Sequence, residues 1–92
     1  MIKSFACKET EELFNEVNVR RFQVIERQAR RKLLYLNSVH SLQDLLVPPG
    51  NKLESLKGDR KGHHSIRTND QWRICFKWKA GNALDVEIID YH

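Results

Sequence analysis

The segment of residues 53–78, LESLKGDRKGHHSIRTNDQWRICFKW, restricts the fold more than any other part of the chain. Its second half alternates between apolar and polar residues with the two-residue period of a half-buried β-strand. The apolar positions are Trp72, Ile74, Phe76 and Trp78, and the polar positions are Gln71, Arg73, Cys75 and Lys77. The pattern predicts a strand over residues 71–78 with one face in the core.

A weaker strand pattern at residues 63–68 precedes it, with Ile66 as its strong apolar residue. Ile66 reaches the apolar face of the next strand only if the paired residue numbers add up to an even value. A sum of 140 makes residues 69–71 the turn, and it sets Ile66 opposite Ile74 and Arg67 opposite Arg73. Like charges directly opposite each other destabilise a strand pair. The register therefore indicates an anion, or a nearby carboxylate, beside the two arginines.

Helical periodicity dominates the first half of the chain. A helix over residues 20–37 is predicted from one buried stripe, which consists of Phe22, Ile25, Ala29, Leu33 and Leu36. Thr10 is a favourable N-cap for a short helix before it. Ser38 or Ser41 is expected to cap a third helix carrying Leu42, Leu45 and Leu46, which must end at Val47-Pro48-Pro49 because proline cannot continue a helix.

Strand patterns lie at both ends of the chain. Residues 2–6 predict a short strand, and residues 84–92 predict a last strand that pairs with residues 71–78. Matching the apolar faces sets Trp78 opposite Leu84, Phe76 opposite Val86, Ile74 opposite Ile88, Lys77 opposite Asp85 and Cys75 opposite Glu87. The fold class is therefore α+β, with an N-terminal strand, a three-stranded antiparallel meander, and two to three helices packed on one face.

Length and composition limit the possibilities further. Ninety-two residues predict a single domain, residues 1–92, with one helix layer on one sheet. No run approaches the roughly 18 apolar residues of a membrane span, and the N-terminus lacks the apolar region of a signal peptide. Cys7 and Cys75 lack the spacing of a zinc site. We therefore expect a cytoplasmic protein that does not associate with membranes.

The net charge of +4 is unevenly distributed. Residues 20–32 contain six Lys or Arg and one acid, and residues 57–61 contain three basic residues and one acid. Clustered basic charge is typical of polyanion binding. Arg20, Arg27 and Arg31 form a stripe along the main helix, which fits RNA binding and a merely solvated helix face equally well. Arg60 and Lys61 in the second cluster are further RNA-binding candidates.

The register brings Lys57, Arg60, Arg67, Arg73, Tyr91 and His92 towards one basic end of the open sheet face. Cleavage of RNA through its 2′-hydroxyl needs a base, cations beside the phosphate, and an acid for the departing 5′-oxygen. Arginine suits the phosphate role because its planar guanidinium binds two oxygens at once. Lys57 suits a charge or a base, His92 titrates near neutral pH, and Asp90 is placed to orient His92 or Tyr91. The scheme requires no metal and no cofactor.

Each of these residues also has an ordinary structural interpretation. A tyrosine at a strand end is more often an edge contact than a catalyst, and a C-terminal histidine is usually frayed. His63 and His64 are adjacent in a strand, so they point to opposite faces and are poorly placed to share a metal. Trp72 and Trp78 fit the core better than a base-stacking platform. Residue spacing alone supports a basic nucleic-acid-binding domain.

The motifs LKGDRKG, NDQWRICF and the terminal DYH, with MIKSF at the start, resemble the HigB toxins of bacterial toxin–antitoxin systems, particularly the branch that includes GraT. These toxins belong to the RelE/ParE superfamily. The resemblance covers essentially the whole chain. It implies a RelE-like fold and a ribosome-dependent endoribonuclease that cuts mRNA in the decoding site of the small subunit. It also implies a helix-turn-helix antitoxin of the HigA type, through which the complex would bind operator DNA.

Carried over by position, the resemblance implies catalytic or phosphate-binding roles for Lys57, Arg67, Arg73, Asp90, Tyr91 and His92. Some HigB toxins have a histidine three residues before the loop lysine, where this chain has Glu54, so Glu54 is either inert or a replacement base. ParE-like members of the superfamily instead poison DNA gyrase. A protein that binds RNA or the ribosome without cleaving it is the third alternative.

Overall fold

The structure is a computed structural model and describes residues 1–90. Within that range it contains two α-helices, α1 (Lys8–Phe14) and α2 (Glu26–Ser38), and four strands, β1 (Glu54–Ser55), β2 (His63–Arg67), β3 (Trp72–Lys79) and β4 (Asn82–Asp90). Short 3-10 turns cover Arg20–Ile25, Leu42–Leu46, Pro49–Asn51 and Gly58–Arg60. No helix among residues 1–90 is long and apolar enough to cross a membrane.

The strands form one antiparallel sheet in the order β1-β2-β3-β4. The hairpin register between β2 and β3 is the predicted one, with Ile66 opposite Ile74 and Arg67 opposite Arg73. The edge strand β1 was not predicted, because two residues are too few to show alternation. The α+β class and the antiparallel meander are confirmed.

The register between β3 and β4 departs from the prediction over half of its length. Ile74 lies opposite Ile88 and Cys75 opposite Glu87, as expected, but Trp78 lies opposite Ala83 instead of Leu84. A bulge shifts the pairing by one residue, and Asp85 there has a φ of 51°. Lys77 likewise lies opposite Leu84 instead of Asp85. Strict alternation therefore predicted the wrong partners for both Lys77 and Trp78.

The predicted N-terminal strand is present in reduced form. Residues 1–6 run parallel to β4 and form two isolated bridges, Ile2 with Ala83 and Phe5 with Val86. The backbone N–H of Lys3 donates to the carbonyl of Ala83 at 2.8 Å. The bulge in β4 separates the two bridges, so this edge does not form a continuous ladder.

The helices cover one face of the sheet. The predicted apolar stripe is confirmed, since Phe22, Ile25, Ala29, Leu33 and Leu36 are all buried. The helix expected over residues 20–37 begins as a 3-10 turn and becomes α-helical at Glu26. These side chains pack in one core with Ile66, Ile74, Phe76, Val86 and Ile88 from the sheet.

Two capping predictions have different outcomes. Thr10 does not cap α1, whose N-cap is Cys7. Thr10 is buried inside the helix, and its hydroxyl oxygen accepts a hydrogen bond from the backbone N–H of Ile88 at 3.0 Å. Ser41 does cap the next segment, in a reciprocal arrangement with Asp44, although that segment is a 3-10 turn in which Leu46 is exposed.

Candidate active site on the open face of the sheet

The sheet face opposite the helices carries a polar row across all four strands. Glu54 of β1 pairs with Ser65 of β2, which pairs with Cys75 of β3, which pairs with Glu87 of β4. Arg67 and Arg73 lie one step along the strands on the same face. The two-residue period of the strands therefore collects carboxylates, a hydroxyl, a thiol and two guanidinium groups on one surface.

Arg73 is the most firmly held of these groups, with only 7% of the residue exposed. Its Nε donates to Ser65 Oγ at 2.8 Å, and its Nη2 donates to the backbone carbonyl of Lys52 at 2.6 Å. Its Nη1 lies 3.6 Å from Oε1 of Glu54, whose side chain is 50% exposed. The guanidinium is thus fixed by the protein at two nitrogens, while the third faces a carboxylate at the surface.

Arg67 lies opposite Arg73 and forms an ion pair with Asp70 in the turn between β2 and β3. Glu54 and Asp70 therefore supply one carboxylate to each arginine of the like-charged cross-strand pair. The sequence register indicated either an anion or a nearby carboxylate at this position, and the structure contains the carboxylates. The Arg67–Asp70 pair lies at the surface and contributes only ~0–1 kcal/mol to stability, so a stronger ligand can replace Asp70.

A groove of about 600 Å³ lies along β1 and the following loop, and its lining residue Glu54 connects it to Arg73. Glu54, Ser55, Leu56, Lys57, Asp59 and Arg60 line it. Gly58 and Gly62 have φ values of 67° and 92°, which bend the loop in a way that other residues rarely adopt. The loop brings the exposed Lys57 to the same groove as Glu54, whereas Lys61 is exposed outside the groove.

Arg60 is turned towards the open face, where its Nη1 donates to Glu87 Oε1 at 2.8 Å. That hydrogen bond raises the pKa of the Arg60 guanidinium above its ordinary value. The backbone carbonyl of Arg60 lies 3.2 Å from Nδ1 of His63. Arg60 therefore anchors the loop to β4, in addition to carrying positive charge at the groove.

Cys75 lies at the centre of the open face and is fully buried. Burial raises the pKa of its thiol to about 11, and the negative charge of Glu87 acts in the same direction against Arg60 and Arg73. A thiol that stays protonated at neutral pH is a poor nucleophile. Cys75 fills space between charged neighbours and is not a reactive group.

The three C-terminal candidates cannot be placed together from the structure, because Tyr91 and His92 lie outside the described residues. Asp90 pairs with Trp72 across β3 and β4, so it belongs to the face of Trp72 and not to the open face of Arg73. Its carboxylate accepts a hydrogen bond from Nε2 of Gln71 at 3.1 Å. Asp90 is thus exposed at the end of the sheet that holds the Arg67 turn.

The two adjacent histidines are separated by the sheet. His63 pairs with Lys77 on the open face, whereas His64 pairs with Phe76, with ring centroids 5.9 Å apart. Burial, with the nearby His63 charge, lowers the pKa of His64. No group of three or more metal-ligating side chains occurs in the part of the chain that the structure describes.

The helix stripe lies on the other side of the molecule. Arg20, Arg27 and Arg31 are exposed on the helix layer, which covers the apolar face of the sheet. Arg27 and Arg31 line a second groove of about 600 Å³, together with the exposed Val24 and Leu34. The structure therefore separates the candidates into two basic surfaces with the sheet and core between them.

Sequence reasoning missed Ser65, whose hydroxyl and carbonyl both contact the Arg73 guanidinium. The predicted register held the necessary signal. A sum of 140 places Ser65 opposite Cys75, which is two residues along β3 from Arg73 and therefore on the same face. A small hydroxyl residue in that position is a natural partner for a long cationic side chain.

The sequence matches the model of a known protein family over nearly the whole chain. The family model described as "RelE-like toxin of type II toxin-antitoxin system HigB" covers residues 3–92. The chain belongs to the HigB-like toxin family. The resemblance found in the sequence motifs is thereby confirmed.

Two curated relatives are similar to this chain over part of their length. "Toxin HigB-1" of Vibrio cholerae is 46% identical over 61 residues, which are 66% of this chain and 64% of that protein. "Endoribonuclease HigB" of Proteus vulgaris is 46% identical over 41 residues, which are 45% of each chain. The matched segment thus spans less than two thirds of the length of either relative.

A solved structure supports the fold independently. The crystal structure of YafQ from Escherichia coli superposes with a TM-score of 0.60, covering 98% of this chain and 93% of that one. Sequence identity is only 13%, so this likeness concerns the fold alone.

Proposed function

We propose that this HigB-like toxin is an endoribonuclease that cuts mRNA on the ribosome, through the 2′-hydroxyl and without a metal ion. One observation carries the proposal: the fixed guanidinium of Arg73 lies 3.6 Å from a half-exposed carboxylate, Glu54, beside a groove that also holds Lys57. Cations and a proton acceptor next to an open groove are what phosphodiester cleavage through a neighbouring hydroxyl requires.

The cations act on the charge that grows on the phosphate during the reaction. Arg73 supplies a preorganised charge, because its contacts to Ser65 and Lys52 hold it in one orientation before substrate arrives. Arg67 and Lys57 are proposed to bind phosphate oxygens directly, Arg67 by exchanging Asp70 for the substrate. Tyr91 and His92 remain the sequence candidates for the acid.

The separation of the two basic surfaces supports the ribosome as the place of action. A short single-stranded RNA in the open-face groove leaves Arg20, Arg27 and Arg31 on the helix side without a partner. A partner built largely of RNA that surrounds the toxin engages both sides at once. We propose that the helix stripe, with Arg60 at the groove and Lys61 outside it, contacts ribosomal RNA in the decoding site of the small subunit.

The relatives support the same activity and suggest the protein partner. One relative, from Proteus vulgaris, is named an endoribonuclease, and the family is described as the toxin of a type II toxin–antitoxin system. We propose that a HigA-type helix-turn-helix antitoxin neutralises this chain, that operator DNA is bound only through that antitoxin, and that the protein acts in the cytoplasm.

The decisive experiment is cleavage of a defined mRNA by the purified protein, with and without programmed ribosomes, in the presence of EDTA. The proposal predicts cuts that need ribosomes, survive EDTA and leave 2′,3′-cyclic phosphate ends. Cleavage that EDTA abolishes would contradict the metal-free mechanism, and cleavage of naked mRNA at equal rate would contradict the ribosome requirement.

Two variants separate catalysis from binding. Tyr91→Phe and His92→Ala are expected to reduce cleavage and growth inhibition without weakening ribosome binding. If both variants stop growth as strongly as the wild type, and the wild type leaves mRNA intact, a binding protein or a gyrase poison explains toxicity better. A supercoiling assay with purified gyrase distinguishes those two alternatives.

A further inference from the structure

We infer that Glu54 is the general base that removes the proton from the 2′-hydroxyl of the substrate. The inference rests on the proposed ribonuclease function and assigns a step that the sequence left open. In RNA cleavage the 2′-oxygen attacks the phosphorus attached to the neighbouring 3′-oxygen of the same ribose. The base must therefore lie next to the groups that hold that phosphate, within hydrogen-bond reach of the attacking oxygen.

Glu54 meets the positional requirement. Its carboxylate lies on β1, the strand that lines the groove, and Oε1 is 3.6 Å from Nη1 of Arg73. A carboxylate has two acceptor oxygens, so the contact of Oε1 with the guanidinium leaves Oε2 to accept the proton of the 2′-hydroxyl. Half of the side chain is exposed, which gives a ribose in the groove access to it.

Asp59 also lines the groove, on the loop after β1, but within residues 1–90 Arg73 forms its ion pair with Glu54. The carboxylates on β4 and in the turn between β2 and β3 are engaged elsewhere. Glu87 accepts the guanidinium hydrogen bond of Arg60 at 2.8 Å. Asp70 belongs to Arg67 in the turn, and Asp85 is 3.6 Å from Lys77 at the opposite end of the sheet. Among the open-face carboxylates that the structure describes on strands and turns, Glu54 alone combines nearness to Arg73 with a place in the groove.

His63 and Cys75 are the remaining proton acceptors to consider on this face. Nδ1 of His63 lies 3.2 Å from the carbonyl of Arg60, a contact that places the proton on Nδ1 and leaves Nε2 as the acceptor. Position counts against His63 as the base, because it is not among the residues that line the groove. His63 also pairs with Lys77, at the end of the sheet away from Arg67. Cys75 is fully buried, so a ribose cannot reach its sulfur.

The step balances as a simple displacement. Glu54 takes the proton of the 2′-hydroxyl, and the electron pair of that O–H bond forms the new bond from the 2′-oxygen to phosphorus. The bond from phosphorus to the 5′-oxygen breaks, and that oxygen takes a proton from the acid, for which His92 is the sequence candidate. The products are a 2′,3′-cyclic phosphate and a 5′-hydroxyl end, and Glu54 returns its proton to water.

The test compares Glu54→Gln with the wild type on programmed ribosomes. Loss of a general base is expected to slow cleavage by about 10²–10⁴-fold. Affinity for ribosomes programmed with a 2′-deoxy substitution at the cleavage site, which cannot react, is expected to stay unchanged. Glu11→Gln, at an exposed glutamate on the helix side, is the matched control and is expected to cleave normally.

Two further measurements distinguish a base from a residue that only positions Arg73. Formate added to Glu54→Ala is expected to restore cleavage in proportion to its concentration, because a free carboxylate can enter the vacated space, whereas Arg73→Ala gains nothing. An mRNA with sulfur in place of the scissile 5′-oxygen needs no acid, since a thiolate leaves unaided. Glu54→Gln is expected to remain slow on it.

The outcomes distinguish an error in the role of Glu54 from an error in the proposed ribonuclease function. If the wild type cleaves and Glu54→Gln cleaves equally fast, the assignment of Glu54 is wrong and the proposed function stands. Recovery of Glu54→Gln on the sulfur substrate would make Glu54 an acid, and loss of binding to the 2′-deoxy complex would make it a positioning residue. A wild type that cleaves nothing overturns the function and the assignment together.

Discussion

The molecule has two basic surfaces that differ in how their charges are held. On the open face, Arg60, Arg67 and Arg73 each lie beside a carboxylate, respectively Glu87, Asp70 and Glu54. On the helix layer, Arg21 and Arg30 pair with Glu9 and Glu26, whereas Arg20, Arg27 and Arg31 have no ion pair with any residue between 1 and 90. The three arginines of the open face are thus paired, whereas the helix stripe of Arg20, Arg27 and Arg31 presents exposed charge without such a partner.

This difference fits the two tasks that the proposed function requires. Attraction to a large polyanion needs uncompensated charge that acts over about a Debye length, roughly 8–10 Å in physiological salt. Catalysis needs charges whose positions are set before the substrate arrives, even if internal pairing lowers their attraction for naked RNA. Because ion pairing weakens the attraction of the open face for free RNA, cleavage is favoured where another surface of the protein has already bound the RNA.

The largest expected effect comes from removing the most fixed charge. Arg73→Ala is expected to reduce cleavage by about 10²–10³-fold, the range seen when a preorganised electrostatic group is removed. It should also lower the free energy of unfolding by ~1–3 kcal/mol, because Ser65 Oγ and the Lys52 carbonyl lose their donor. Single-turnover cleavage and urea unfolding measure the two effects.

Arg27→Ala is the matched variant on the helix layer. Because Arg27 is exposed, its removal is expected to change the free energy of unfolding by no more than about 0.5 kcal/mol. Equal destabilisation by the two substitutions would contradict the distinction between a fixed surface and an exposed one.

Charge reversal of the helix stripe tests the attraction directly. The triple substitution of Arg20, Arg27 and Arg31 to Glu is expected to weaken ribosome binding and to flatten its dependence on salt. The logarithmic salt slope should fall by roughly 0.7–0.9 for every phosphate that the variant no longer neutralises. Equilibrium binding over a range of KCl concentrations measures it, with Lys3, Lys8 and Lys79 reversed as the control for net charge. An unchanged slope would leave the stripe as a solvated helix face.

The buried thiol of Cys75, at the centre of the open face, predicts a pH effect on stability. Burial raises the pKa of Cys75 from 9.0 to about 11, so above pH 9 the unfolded chain loses this proton while the folded chain keeps it. Stability must therefore fall as pH rises from about 9 to 11. Cys75→Ala has no thiol to titrate at this position. The free energy of unfolding of the wild type should therefore fall more than that of the variant between pH 9 and pH 11. Urea unfolding of both proteins at pH 8 and pH 10.5 measures this difference. The same difference in unfolding free energy at the two pH values would contradict the prediction.

The sequence was a good guide to the open face because side-chain parity determines what shares a face. The even pairing sum placed Ile66 against Ile74, and that alone required Arg67 to lie opposite Arg73 and a carboxylate or anion beside them. Glu54 was recognised as unusual in the sequence, but its position beside Arg73 depends on β1, whose two residues carry no readable pattern.

The sequence was a poor guide wherever the chain departs from a regular period. Nothing in the alternation of β4 reveals the bulge at Asp85, which shifts the register by one residue and moves Leu84 away from Trp78. Thr10 has the composition of an N-cap, yet tertiary structure uses its hydroxyl to satisfy the N–H of Ile88. In both places the chain forms hydrogen bonds with residues distant in sequence, Asp85 with Ser4 and Thr10 with Ile88, which local sequence preference does not reveal.

The smallest effect is expected where the pairing of the open face is weakest. Asp70 is almost fully exposed, so Asp70→Asn should change the free energy of unfolding by less than ~1 kcal/mol. Removing its charge leaves Arg67 and Arg73 opposite each other with one carboxylate fewer, which increases the local attraction for phosphate. We therefore expect tighter binding of a non-cleavable RNA with an unchanged cleavage step. Fluorescence anisotropy measures the affinity, with Asp44→Asn on the helix side as control. If Asp70→Asn binds RNA no better than the wild type, internal pairing does not limit the affinity of the open face, and the contrast between the two surfaces reduces to their difference in exposure.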